Sequence, residues 1–192
     1  YAMCQVFATG VIVGVVASVY SLTAISVIRM VHICYTHLYT RHFTQKHCIL
    51  YCCILWIVTF LLSTPPVMGW GKLDYLPKAV HCGLEYKDDL GYILFLYILA
   101  EGPALVLTFT CYAKIYMKIK ASSKLVAQHA TSQNTDQQKR SKARQRQAFC
   151  SFVISALFTL LWGPFCILTV LDNLGDLDPT LIKITTWMGF SN

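Results

Sequence analysis

The sequence predicts an all-α membrane protein, and two observations lead to that class. Charged residues make up 13% of the 192 residues, about half their share in a typical soluble domain. The uncharged residues are gathered in long apolar runs, most of them long enough to cross a bilayer as an α-helix. Because lipid offers no partner for backbone N–H and C=O groups, a run that crosses it must be helical.

The first run is the clearest span. No Asp, Glu, Lys, Arg or His lies between Cys4 and Arg29, which are 25 residues apart. As a helix, this stretch is roughly 37 Å long, slightly more than the ~30 Å hydrocarbon core of a bilayer. One helix therefore places Cys4 at one membrane face and Arg29 at the other.

Further runs follow, and together they predict one transmembrane domain that is a fragment of a longer protein. The expected spans are residues 4–30, 48–68, 90–117, 148–171 and 181–192, with an outer loop at 69–89 and an inner loop at 118–147. The middle of the inner loop, HATSQNTDQQ, is polar and has no apolar periodicity, which predicts a flexible loop. Its basic flanks can extend the neighbouring helices into the cytosol.

The basic residues predict the orientation of the spans. The segment after span one and the segment between spans three and four hold 12 of the 16 basic residues but 1 of the 9 acids. By the positive-inside rule these segments face the cytosol, so span one runs from outside to inside. A nucleic-acid-binding surface would also explain the net charge of +7. Because these cations flank membrane spans, we expect a lipid bilayer as partner and no nucleic acid.

Nine cysteines are present, and only Cys4 and Cys82 fall on the outer, oxidising side. We expect a disulfide between them, which would tie the outer end of span one to the outer loop. Two free thiols are the alternative. The other cysteines lie in apolar spans or near the reducing face, where cysteine behaves as a small hydrophobic residue. None has zinc-type spacing with histidines, so no metal site and no cofactor are expected.

Motifs for other functions are weak. A multi-span transporter or channel fragment would need several charges or broken helices at mid-membrane, and only Glu101 qualifies. This class is kept as the alternative. No HExxH or GxSxG sequence is present, so an enzyme is not expected.

A larger set of residues resembles, in order and spacing, the motifs of one receptor family. The matching positions are Cys4, Arg29, Trp56, Pro65, Pro66, Cys82, Pro103, Tyr112, Phe158, Trp162, Pro164, Trp187, Gly189 and Asn192. Leu161 departs from the pattern, which has a cysteine at that position. Over its whole length the chain resembles the third to seventh helices of a rhodopsin-like (class A) G-protein-coupled receptor. This implies part of a seven-transmembrane helix bundle, with five helices present and the last truncated, in a multi-pass receptor of the plasma membrane.

The resemblance also implies roles for individual residues. Arg29 and Tyr112 would act in activation and in coupling to a heterotrimeric G protein at the inner face. The hinge and toggle residues would be Phe158, Trp162, Pro164 and Pro103. Proline in a helix interior removes a hydrogen bond and bends the chain, which suits a hinge.

Three departures from the family pattern bear on switching. The motif arginine is flanked by Ile28 and Met30, where the family has an acid and a tyrosine. The position at the foot of the sixth helix that often supplies a second acid is Arg144, so the usual inner ionic lock is expected to be absent. Pro103 and Tyr112 are nine residues apart rather than eight. We therefore expect some ligand-independent activity.

An apolar ligand pocket is expected between the outer halves of the helices. Spacings of three to four residues bring side chains of span one onto one face, opposite side chains of the sixth and seventh helices. The expected lining is Val11, Ile12, Val15, Val16, Phe165, Cys166, Thr169 and Phe190. So few polar groups favour a small extracellular ligand that is lipophilic or neutral. Plain helix packing is the alternative.

Three further positions bear on the ligand. The family's retinal-binding lysine would fall at Phe190 and its amine-binding aspartate at Val11, which disfavours both ligand types. Glu101 is the one acid inside a span, and such groups face the bundle interior or water. A ligand contact and an interhelical hydrogen bond remain equally open for it. Parts of the chain also look similar to melatonin-receptor-like and orphan receptors.

Overall fold

The computed structural model describes residues 2–77, 80–85, 90–128, 135–175 and 177–190. These residues form seven α-helices, one π-helical stretch and a two-stranded hairpin. The helices are α1 (Ala2–Cys34), α2 (Thr36–His42), α3 (Gln45–Ser63), α4 (Leu90–Leu94), α5 (Gly102–Gln128), α6 (Thr135–Leu174) and α7 (Pro179–Phe190). The hairpin strands are β1 (Lys72–Leu76) and β2 (His81–Glu85), and the π-helical stretch Phe95–Glu101 joins α4 to α5.

Four helical segments are long and apolar enough to cross a membrane. They are Ala2–Cys34, Gln45–Ser63, Leu90–Ser122 and Gln145–Asp172. The all-α membrane class predicted from the sequence is thereby confirmed. α7 has 12 residues, and residues 191–192 of the fifth expected span lie outside the described part of the chain.

The outer segment contains more regular structure than the loop expected at residues 69–89. β1 and β2 pair antiparallel, from Lys72 opposite Glu85 to Leu76 opposite His81. Nζ of Lys72 lies 2.9 Å from Oε2 of Glu85, so an ion pair joins the two strands at the open end of the hairpin. Gly71, just before β1, has a φ of +97°. Residues other than glycine rarely adopt this backbone conformation.

The inner segment is also more helical than expected. α5 runs to Gln128 and α6 begins at Thr135. The basic flanks thus extend the spanning helices, and the last part of the stretch predicted as a flexible loop, residues 135–138, is helical. The rest of that predicted loop, residues 129–134, lies outside the described part of the chain.

α1 is the central helix, in contact with α2, α3, α5, α6 and both strands. Its buried side chains recur every three or four residues and form one stripe along the helix. They are Ala8, Ile12, Val16, Val19, Thr23 and Ser26. The outer part of this stripe packs against Leu73 of β1 and against Tyr92, Leu96 and Ala100. Because lipid is as apolar as these side chains, close packing and hydrogen bonds hold α1 in place within the bilayer.

Polar contacts join α1 to the π-helical stretch and α5. The Tyr20 hydroxyl donates a 3.0 Å hydrogen bond to the carbonyl oxygen of Ala100. One turn further in, Oγ1 of Thr23 lies 3.2 Å from the carbonyl oxygen of Ala104 and 3.0 Å from Oγ1 of Thr108. Interhelical hydrogen bonds of this kind contribute about 0.6 kcal/mol each in membrane proteins. They fix how far each helix is rotated about its own axis relative to the other.

A disulfide between Cys4 and Cys82 joins the outer end of α1 to β2. This is the pairing that the sequence predicts. The hairpin is therefore attached covalently to the central helix, in addition to the packing of Leu73 against Ala8 and its neighbours.

We expect Cys4→Ala to lower the thermal unfolding temperature of the full-length protein and its amount at the cell surface. Loss of a native disulfide costs about 2–5 kcal/mol in small secreted domains, and here it also frees the hairpin. Cys53→Ala is the matched control, because Cys53 is an exposed free cysteine of α3. Equal unfolding temperatures for the two variants would contradict a structural role for the disulfide.

Candidate functional site

A cavity of about 280 Å³ lies between the outer halves of the helices. α1 forms one wall, the π-helical stretch and the start of α5 a second, and α6 with α7 a third. The hairpin contributes Leu76, His81, Gly83 and Leu84. Because Cys82 is bonded to Cys4, this cover is attached to the α1 wall.

Three of the four α1 side chains predicted to line a pocket do line this cavity. They are Val11, Ile12 and Val15. Val16 is not part of the lining: none of its surface is exposed, and it packs in the core with Tyr92 and Leu96. The reason is helical geometry, since Val16 is turned about 100° from Val15 around the helix axis. Val16 is therefore a packing position in this structure.

The side chains predicted on the opposite wall all line the cavity. They are Phe165, Cys166, Thr169 and Phe190. Trp162 lies among aromatic rings, with centroid distances of 5.9 Å to Phe165, 5.9 Å to Phe190 and 6.3 Å to Phe158. Edge-to-face and tilted ring pairs at these distances attract one another. The indole is therefore placed where a bound molecule would touch it.

α7 approaches the indole of Trp162 closely because residue 189 is glycine. A Cβ atom at Gly189 would lie 3.2–3.3 Å from three carbons of the Trp162 ring. That is closer than ordinary side-chain contacts. Any larger residue would push α7 or the indole away.

Two prolines interrupt the helices beside the cavity. Pro164 lies inside α6, two residues after Trp162, and has no N–H to donate to the carbonyl group of Leu160. Pro103 is the second residue of α5, two positions after the π-helical stretch ends at Glu101. Both positions weaken the backbone ladder at the level of the cavity.

Glu101 ends the π-helical stretch and lines the cavity. Its side chain is buried, with 7% of the residue surface exposed. Within the part of the chain that the structure describes, its Oε1 atom has no hydrogen-bond partner. A π-helical turn holds one more residue than an α-helical turn, which changes the face that its residues present.

At the inner end of α1, Nη1 of Arg29 donates a 2.8 Å hydrogen bond to Oε1 of Gln147 on α6. Met30, the next residue, packs against the buried cluster of Tyr112, Ile115 and Ala148. The side chain of Arg144, predicted to prevent an ionic lock, lies outside the described part of the chain. A neutral side chain of α6 thus holds the motif arginine.

Tyr112 is buried beside α6. Its ring meets that of Phe152 edge-on at 5.4 Å, and it packs with Ile115 and Ala148. Its hydroxyl lies beside the side chains of Ser151 and Ser155 on α6. Cys111, the residue at the usual spacing of eight from Pro103, is buried as well. The coupling role of Tyr112 stays a prediction.

Sequence reasoning did not single out Gln147. The available signal was its position three residues after Arg144, which puts both on neighbouring parts of one helix face. A glutamine there can accept a hydrogen bond from an arginine without carrying charge. Gln147 and Arg29 are 118 positions apart in the sequence, so a local sequence pattern cannot predict that they pair.

The family profile described as "7 transmembrane receptor (rhodopsin family)" matches residues 1–192. The chain belongs to this family, whose members are receptors and not enzymes. They are multi-pass proteins of the plasma membrane.

Individual relatives agree with this family. Melatonin receptor type 1A of Phodopus sungorus is 25% identical over 85% of this chain and 44% of its own length. The Gq-coupled rhodopsin of Mizuhopecten yessoensis is 27% identical over 90% of this chain and 36% of its own length. G-protein coupled receptor 52 of mouse is 30% identical over 98% of this chain and 54% of its own length. The chain thus spans about half the length, or less, of these relatives.

The same fold occurs in the crystal structure of squid rhodopsin. It superposes with a TM-score of 0.86 over 98% of this chain and 57% of that chain, at 22% sequence identity. At this identity the likeness establishes the fold alone. The superposition agrees with a larger helix bundle of which this chain forms a part.

We expect Gly189→Ala to lower the thermal unfolding temperature, because the new methyl group meets the Trp162 ring. The matched control is Gly163→Ala, where an added Cβ has nothing within 4 Å. That control should keep or raise the unfolding temperature, since alanine favours a helix by about 1 kcal/mol over glycine. If the two variants unfold at the same temperature, the close approach of α7 to Trp162 is not present in solution.

Proposed function

We propose that this protein is a receptor that passes the binding of a small extracellular ligand, lipophilic or neutral, to a heterotrimeric G protein in the cytosol. The observation that carries the proposal is that α1 and α6 contact each other or a shared site at both ends of the molecule. They wall the cavity at the outer end and share the Arg29–Gln147 hydrogen bond at the inner end. A ligand between them therefore acts on the helices that hold the motif arginine.

The cavity lining supports the choice of ligand. The Asp, Glu, Lys and Arg side chains that the structure describes contribute Glu101 alone to the lining, among mostly aliphatic and aromatic groups. Such pockets bind apolar molecules and use few polar groups for orientation. Melatonin, which appears in the name of one relative, is a compact neutral molecule of this class and is the first probe to test.

Signal transfer would run along α6. A ligand that touches Trp162 can bind one arrangement of the surrounding rings more tightly than another, and only such a difference shifts a conformational equilibrium. Pro164 weakens the helix next to Trp162, so the inner half of α6 can swing about this point. Phe158, one turn inward from Trp162, would repack during the movement.

The Arg29–Gln147 hydrogen bond would be broken when α6 swings outward. Freed in this way, Arg29 could contact a G protein, with Tyr112 beside it. Because the hydrogen bond is partly exposed and one partner is neutral, we assign it about 1 kcal/mol. That changes the ratio of two states by about fivefold. The restraint is weak, which favours measurable activity without ligand.

The basic inner surface supports the proposed orientation of partner and membrane. Lys118, Lys120 and Arg146 are at the inner ends of α5 and α6, where cations near anionic lipid contribute about 1 kcal/mol each. The same surface is available to an acidic region of a G protein. The alternative of a transporter or channel fragment loses its support, since the chain matches the receptor family over residues 1–192.

We expect Gln147→Ala in the full-length receptor to raise basal G-protein activation by about fivefold, because Arg29 loses its partner on α6. Gln147→Glu should lower it below wild type, since a carboxylate binds arginine more strongly than an amide does. Ile28→Asp should lower it as well, by restoring an acid beside Arg29. Nucleotide exchange on purified G protein measures all three.

Cys150→Ala is the matched control, because Cys150 is an exposed residue of α6 one turn from Gln147. It should leave basal exchange unchanged. If Gln147→Ala and Gln147→Glu have the same basal activity as wild type, this hydrogen bond does not restrain the switch. If no variant activates any G protein, with or without melatonin, the proposed function itself is contradicted for that set of G proteins and that probe.

A further inference from the structure

Glu101 carries a buried carboxyl group, with 7% of the residue surface exposed. One of its two oxygen atoms, Oε1, has no hydrogen-bond partner among the residues that the structure describes. Native proteins leave few buried polar atoms unpaired, and each exception calls for an explanation. A functional role of the unpaired atom is one such explanation.

Three hydroxyl groups near the cavity are already committed elsewhere, and the cavity-lining Tyr97 has its hydrogen-bond contact with Cys166. Tyr20 donates to the carbonyl oxygen of Ala100 at 3.0 Å. The cavity-lining hydroxyls of Thr159 and Thr169 donate to carbonyl oxygens of their own helix, at 2.9 and 2.8 Å. A hydroxyl group has one proton to donate, so these three side chains cannot also serve Glu101.

The described part of the cavity lining contains neither lysine nor arginine, and its one basic ring is that of His81 in the hairpin, which meets the Phe190 ring edge-on at 5.2 Å. An interhelical ion pair is therefore not the reason for this acid. Glu101 instead stands on the α5 side of the cavity, and Val11, Ile12 and Val15 form the α1 side. One wall offers an acceptor atom, and another offers only apolar surface.

We propose that Glu101 is the polar anchor of the ligand and accepts a hydrogen bond from it. The ligand would be a compact, otherwise apolar molecule that carries one donor, a hydroxyl or an N–H group. Its donor points toward α5, its apolar body lies against the three aliphatic side chains of α1, and its far end touches the rings of Trp162 and Phe190. This inference rests on the proposed function only in taking the cavity as a ligand site.

The first test uses the purified full-length receptor without any ligand or G protein. Glu101→Leu should raise the thermal unfolding temperature by a few degrees, because it removes an unpaired buried carboxyl group and leaves an apolar one of similar size. Thr110→Val is the control on the exposed side of α5 and should change little. If Glu101 holds two helices together instead, Glu101→Leu lowers the unfolding temperature, and the proposal is overturned.

The second test measures binding of three matched probes by ligand-observed NMR, again without G protein. The probes are 2-naphthol, 2-(aminomethyl)naphthalene and 2-ethylnaphthalene, which carry a neutral donor, a cationic donor and no donor. At least one donor probe should bind wild type about tenfold or more tightly than 2-ethylnaphthalene, since a site with an unpaired polar group discriminates against ligands that cannot pair it.

Glu101→Leu should abolish that preference while leaving 2-ethylnaphthalene unaffected. Glu101→Gln keeps an acceptor oxygen, so it should retain the preference for 2-naphthol and weaken that for the cationic probe. Equal affinities of all three probes for wild type, or a donor preference that survives Glu101→Leu, would overturn the proposal. Because neither test involves a G protein, a failure of signalling and a failure of the anchor are distinguished.

Discussion

The structure depends on one helix that is tied at both ends. At the outer end, a disulfide attaches α1 to the hairpin through Cys4 and Cys82. At the inner end, Arg29 is hydrogen-bonded to Gln147 of α6. Between them, one stripe of side chains spaced three or four residues apart packs against the surrounding elements. The bilayer requires backbone groups to pair within each helix, so these side-chain contacts alone decide how the helices meet.

The covalent tie also shapes the cavity. Cys82 lies between His81 and Gly83, and both neighbours line the cavity. A Cβ atom at Gly83 would lie 3.0 Å from Cδ1 of Leu76 and 3.1 Å from Nε2 of His81, so the hairpin closes tightly only with glycine there. The bond that fixes the hairpin on α1 therefore also positions the outer cover of the proposed ligand site. Stability and the proposed ligand recognition therefore depend on the same few residues.

Much of this arrangement is readable from the sequence, for physical reasons that also set the limits. Charge-free runs reveal spans because lipid excludes charge, and topology singles out Cys4 and Cys82. Helical spacing places Val11, Ile12 and Val15 on the cavity wall but cannot separate them from Val16, which faces the core. The π-helical stretch before Pro103, the hairpin, and the pairing of Arg29 with Gln147 arise from tertiary contacts that no local pattern encodes.

In the proposed mechanism, α1 and α6 are joined at their inner ends at rest and separate when the receptor couples to a G protein. The direct measurement is the distance between spin labels at His37, on α2 three residues after the end of α1, and at Cys150 on α6. Both positions are exposed, and the full-length receptor would carry no other reactive cysteines. Without G protein we expect mostly a short distance, and in the nucleotide-free complex a longer one. The fraction of molecules with the longer distance should also be greater in Gln147→Ala than in wild type. One unchanged distance under all these conditions would contradict the account.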